Sequence, residues 1–207
     1  MVWFGAVSLA ADLVYEGARS ITGPYLGSLG ASALTVGVVT GAGEAAALGF
    51  RLFSGPLADR SGRHWTWTWV GYALTAVCVP LMALAPFVGP AGLVLAASLV
   101  VLERTGKAVR SPSKTALLAH AARAVGGGRG FAVHKALDQV GAFAGPLLVA
   151  GTVALTARTW PGLAVLAVPG VVAMVLLGVL RRRVPTRVAS PPPARRRSTR
   201  DGCRARS

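Results

Sequence analysis

The sequence predicts an all-α integral membrane protein, with six transmembrane helices in residues 1–183 and a disordered basic tail in residues 184–207. Three observations carry that prediction. The 207 residues are 53% hydrophobic and only 14% charged, against roughly 25% charged in a soluble domain, so the chain lacks the charge to solvate an ordinary surface. Turn signals divide the apolar sequence into six stretches of about 20 residues, the length that crosses a hydrocarbon core of ~30 Å. The net charge of +15 is also uneven, because ten of the 22 Lys and Arg fall in Arg181–Ser207, where only Asp201 opposes them. A basic strip beside an apolar body suits anionic lipid head groups, so the expected partner is the bilayer and not nucleic acid.

The first span runs from Val2 to Leu26 and closes at the Gly27-Ser-Leu-Gly30 turn. It has no basic leader and holds Asp12 and Glu16, so it is expected to be retained and not cleaved as a signal peptide. The second runs from Ser32 to Ser54 and ends at Gly55-Pro56. The third, Trp65 to Pro86, stops at Pro86-Phe-Val-Gly-Pro90, since two prolines and a glycine break a helix. The fourth covers Ala91 to Pro112, and the polar Gly126-Gly-Gly-Arg-Gly130 stretch reads as a flexible loop before the fifth, Phe131 to Leu155. The sixth begins at Trp160-Pro161 and reaches Leu180. Trp65, Trp67 and Trp69 fit an interfacial aromatic belt.

Basic residues set the orientation. Arg60 and Arg63 lie between spans two and three, Lys114, Arg123 and Arg129 between four and five, and ten Arg in the tail. The opposite side holds Arg158, so both termini are expected in the cytoplasm and the protein in the inner (plasma) membrane. Cys78 and Cys203 are too far apart to build a disulfide framework or a metal cluster, and no metal or cofactor is expected.

Ionisable side chains at membrane depth cost a few kcal/mol each and normally face a bundle interior or a wet cavity. Asp12, Glu16 and Arg19 share one helical face at i, i+4 and i+7. Glu44 and Arg51 share a face of span two; Glu103, Lys107 and Arg110 form a stripe on span four with Arg104 beside it; span five carries His134, Lys135 and Asp138, with His134 and Asp138 an i, i+4 pair. Five acids facing six bases suggest pairing. Lys107, Arg110 and Lys135 are read first as snorkelling to the cytoplasmic interface. Asp12, Glu16 and Arg19 are read as lining a polar cavity. Gly141-Ala-Phe-Ala-Gly145-Pro146 reads either as a close-packing face or as a kink that opens and closes a pore.

Gly55-Pro-Leu-Ala-Asp59-Arg60-Ser-Gly62-Arg63-His64 resembles the cytoplasmic loop signature of the major facilitator superfamily, with His64 where a second Arg or Lys is usual. Glu103-Arg104-Thr-Gly106-Lys107 with Arg110-Ser-Pro112 is similar to that family's arginine-bearing fourth-helix motif, without its usual glutamine. Gly141 to Pro146 is similar to the glycine-proline motif of proton-coupled efflux members, with Val149 where another glycine is usual, and Tyr15 to Tyr25 resembles first-helix sequences of bacterial members. The resemblance implies one six-helix half of a rocker-type bundle in which two halves alternate access around a midplane site. It implies a cytoplasmic gating loop of Gly55, Asp59, Arg60, Gly62 and Arg63, a path or proton-coupling set of Asp12, Glu16, Arg19, Glu44, Arg104 and Asp138, and a packing hinge of Gly141, Gly145 and Pro146. Arg104 would tune proton affinity.

The function expected is secondary active transport, most simply proton-coupled export of a small molecule, by this half together with a second six-helix half or a second copy. The switch to Arg- and Pro-rich sequence at Arg181 resembles out-of-frame reading of a GC-rich gene, so a truncated product is the first expectation, ahead of a natural half or a homodimer. The alternative is a non-transporting membrane half-protein acting in assembly or regulation. An enzyme is not expected, since HExxH, GxSxG and a paired His-Cys arrangement are missing and His64, His120 and His134 are scattered. GxxxxGK[ST] is missing too, so a gradient and not a nucleotide would supply the energy.

Overall fold

The computed structural model describes residues 2–122 and 127–183, except the side chains of residues 120–122, 127 and 129. The predicted tail, Arg123 and Gly126 lie outside the described residues. All the described elements are helical: α1 Val2–Ser28, α2 Ala33–Ser61, α3 His64–Met82, α4 Gly92–Ala122, α5 Gly127–Thr156, α6 Trp160–Ala164 and α7 Ala167–Arg183. Two short 3₁₀ turns, Ala85–Phe87 and Gly89–Ala91, join α3 to α4. Three stretches, Ala33–Ser61, Gly130–Thr156 and Trp160–Arg183, are long and apolar enough to cross a membrane by length and composition. At 27 and 31 residues, α1 and α4 have the length, but both carry the ionisable residues.

The helix ends correct the sequence reading in both directions. α2 continues through Pro56 to Ser61, and α4 through Pro112 to Ala122. Five of the helices hold an internal proline: Pro24, Pro56, Pro80, Pro112 and Pro146. In an apolar surrounding a proline forfeits one backbone hydrogen bond, whereas ending the helix there would leave several groups unpaired. Gly127 to Gly130, expected as loop, form the first turn of α5. α3 instead stops short, at Met82, and Pro86 and Pro90 sit in the 3₁₀ turns. The expected sixth span is broken at Val165 and Leu166, where Leu166 N–H donates to Leu163 O and Val168 N–H to Val165 O.

α1 packs chiefly on α5 and α7, α4 chiefly on α3 and α2, and α3 on α7 closes the bundle. The close approach of α1 and α5 rests on Gly141 and Gly145. A Cβ on Gly141 would run into the Leu9 carbonyl, and one on Gly145 would sit against Leu13 O and Gly17 N. Two apolar clusters result. One gathers Val14, Tyr25, Leu26, Val79, Leu99 and Leu166; the other gathers Phe4, Val7, Tyr72, Leu117 and Leu177. Trp65 and Trp69, expected in the interfacial belt, pack against the second cluster, while Trp67 Nε1 donates to Ser61 Oγ at 3.1 Å. Along α4 the ionisable residues fall between the two clusters, whereas along α1 only Asp12 does, and Glu16 and Arg19 lie within the stretch of the first.

Candidate functional site

α1 and α4 run antiparallel, and their backbones approach each other at few places. Long charged side chains bridge the space between them. Asp12 Oδ1 lies 3.7 Å from Arg110 Nη2, and one turn on, Glu16 Oε1 lies 3.3 Å from Lys107 Nζ. A further turn on, Arg19 of α1 and Arg104 of α4 both reach Glu44 of α2, Arg19 Nη2 at 3.8 Å and Arg104 Nη1 in direct contact. The spacing 12, 16, 19 on one helix meets 110, 107, 104 on the other because both follow the 3.6-residue period in opposite directions. The result is a three-rung ladder of ion pairs at one-turn intervals.

Aromatic rings seat two of the cations. Lys107 Nζ stands 3.2 Å above the centroid of Tyr15, and Arg110 Cζ 4.4 Å above that of Tyr72. Arg110 Nη1 also donates to Thr75 Oγ1 at 3.1 Å, and Thr75 Oγ1 lies 3.5 Å from Glu103 Oε1. Arg110 is 3% exposed, and Lys107 is held between Tyr15 and Glu16, so both are engaged within the bundle. Lys135 is two-thirds exposed and pairs with Asp138.

Asp138 of α5 completes the site from the side. It accepts from Lys135 Nζ at 2.7 Å and from Lys114 Nζ at 3.5 Å, and it lines the same cavity as Asp12. Lys114 Nζ also donates to Ser8 Oγ at 2.9 Å. These groups surround a cavity of about 210 Å³ lined by Asp12, Glu16, Lys107, Arg110, Lys114 and Asp138, with Ser111, Lys135, Gln139 and Ala142 at its edge. A wider groove of about 430 Å³ opens beside the third rung, between Arg19, Thr22, Gly37, Thr40, Glu44 and Arg104. No group of three His, Cys, Asp or Glu converges among the described residues.

Of the sequence-predicted path residues, Asp12, Glu16 and Asp138 meet at the cavity, and Arg19, Glu44 and Arg104 at the groove. His134 is not paired with Asp138 as its spacing suggested. It is buried and lines a pocket with Lys114 and Leu118 of α4. Arg51 is exposed on α2, away from Glu44's partners. Lys114, expected in a loop, is the residue sequence reasoning missed; it continues the stripe Lys107, Arg110 by one more turn, a signal hidden by taking Pro112 as a helix end. Of the gating residues, expected as a loop, Gly55, Asp59 and Arg60 lie in the last two turns of α2, and only Gly62 and Arg63 form the turn to α3. Gly62, at φ +61°, caps α2 in the left-handed region where a side chain is strained, and Arg63 precedes α3. Asp59, Arg60 and Arg63 are exposed, with Asp59 Oδ1 3.9 Å from His64 Nε2, and Gly55 faces the Pro112 ring.

A family model described as Major Facilitator Superfamily matches residues 6–204. The chain is 62% identical over 183 residues to uncharacterized proteins of Mycobacterium bovis and of two strains of Mycobacterium tuberculosis. Each match covers 88% of this chain and 44% of the relative, so the chain spans less than half the length of the curated relatives it matches. No solved structure matches the chain significantly.

Proposed function

Since the chain belongs to the Major Facilitator Superfamily, we propose that it supplies one six-crossing half of a secondary active transporter, exporting a small solute past the α1–α4 cleft in exchange for protons. One observation carries the reading. Charges are costly at membrane depth, and here they are aligned between two helices around a cavity instead of being spread through the core. α1 to α5 make five crossings, and α6 with α7 makes the sixth. The α2–α3 turn and both chain ends lie in the cytoplasm, with Arg60, Arg63 and Arg181–Arg183 on that side and Arg158 opposite.

In this reading Asp12 and Asp138 carry the proton. Both carboxylates line one cavity and repel each other when both are charged, so a proton shared between them relieves that repulsion and can be supplied or removed from either side of the membrane. Protonation weakens the hold on Arg110 and Lys114, and solute binding rearranges the same cations. Asp59, Arg60 and Arg63 are exposed at the surface, where a second half or a second copy would meet them.

Proteoliposomes that hold the chain and enclose a pH-sensitive dye test the reading. Solute-dependent proton movement is expected, falling to background in Asp12→Asn and Asp138→Asn. Unchanged flux in both variants would remove the pair from the path. A folded chain that stayed silent even beside the remaining half of a mycobacterial relative would overturn transport.

A further inference from the structure

The groove beside the third rung has an unbalanced charge. Two guanidinium groups, Arg19 and Arg104, converge on one carboxylate oxygen, Glu44 Oε1. A guanidinium presents five N–H donors in a fixed fork and stays charged at any physiological pH, whereas one carboxylate oxygen satisfies only a fraction of ten such donors. Arg104 is 6% exposed and its Nε has no hydrogen-bond partner among the described residues. Arg19 stays beyond hydrogen-bond distance of Glu44, at 3.8 Å, and is half-exposed toward the groove. A buried cation left short of acceptors is costly, so the arrangement has room for a second anionic group.

The walls make that room. A Cβ on Gly37 or Gly41 would meet nothing within 4 Å, so the floor of the groove is open beside the arginines. The hydroxyls of Thr22 and Thr40 donate to Ala18 O and Val36 O of their own helices, each at 2.8 Å, which leaves the two arginines as the donors available to a ligand. The fixed charge of the groove is then one positive unit with Glu44 in place and two with Glu44 displaced.

Resting on the transport reading above, we propose that this groove binds the anionic head of the transported solute, a carboxylate or phosphate group, which enters between Arg19 and Arg104 and takes the place of Glu44. Glu44 is the internal stand-in for the ligand. It holds the arginines when the groove is empty and swings out when an oxyanion arrives. Glu44 sits on α2, which buries only Gly43, Ser54 and Ala58, so its release disturbs little of the core.

Isothermal titration of the detergent-solubilised full chain with benzoate, and with inorganic phosphate, tests the assignment. Removing the internal competitor tightens anion binding, so Glu44→Gln is expected to bind benzoate several-fold more tightly than the native chain. Arg19→Gln weakens it about tenfold, the scale of one charge-assisted contact. Arg51→Gln removes the same charge from an exposed position outside the groove and leaves binding unchanged. Equal loss in Arg19→Gln and Arg51→Gln would reduce the effect to net charge and overturn the proposal, as would no binding of either anion to a folded, monodisperse Glu44→Gln chain. Displacement of bound benzoate by phosphatidylglycerol micelles at low occupancy, with phosphate ineffective, would make the occupant a lipid head group and overturn the solute. The two readings fail separately. Benzoate binding without flux leaves the anion site standing and removes transport, whereas proton-coupled flux of a cation with no anion binding leaves transport and removes the site.

Discussion

Arg110 is the side chain on which most of the site depends. It pairs with Asp12, donates to Thr75, lies over Tyr72 and is 3% exposed. Arg110→Met is expected to lower stability by about 3–5 kcal/mol, because a buried carboxylate would lose its partner. Pairing it with Asp12→Asn should recover about 1–2 kcal/mol of that loss in a double-mutant cycle, read by reversible unfolding in mixed micelles. Additive losses would show that the two residues are not coupled. The sequence made the existence of such pairs legible, since Asp12, Glu16 and Arg19 had to face one way and five acids balanced six bases. It could not say which acid meets which base. That depends on how far α1 is shifted along α4, a distance set by packing of residues remote in sequence.

At the scale of elements, the apolar runs located the helices well and their ends less well. Pro56 and Pro112 were read by the rule for helices in water, where a broken end can be rehydrated. The helices continue because apolar surroundings offer no such relief. The error had a cost at the site, because Lys114 fell outside the predicted helix. The small-residue face on α5 was legible as a choice between packing and hinge, and its geometry is that of a tight packing face against α1. Gly145→Leu is therefore expected to wedge α5 from α1 and lower the thermal midpoint in detergent by several degrees, since overpacking costs about 1–3 kcal/mol. Gly151→Leu, where a Cβ would meet nothing within 4 Å, should leave the midpoint unchanged. A matching fall in both variants would refute the packing role.

For the whole molecule, the proposed orientation has a direct check. In a background with Cys78→Ala and Cys203→Ser, Arg158→Cys should react with a membrane-impermeant maleimide on intact cells, and Arg60→Cys only after permeabilisation. The reverse pattern would invert the topology. The periods of the facing charges carry a mechanical consequence as well. Acids recur on α1 at 12 and 16, and bases on α4 at 107, 110 and 114, all close to one helical turn apart. A slide of one turn, about 5.4 Å, would set Asp12 opposite Lys114 and Glu16 opposite Arg110, with each acid still facing a base. The two helices thus form a vernier with more than one matched register, and a ratchet between adjacent settings leaves no acid of the pair stranded.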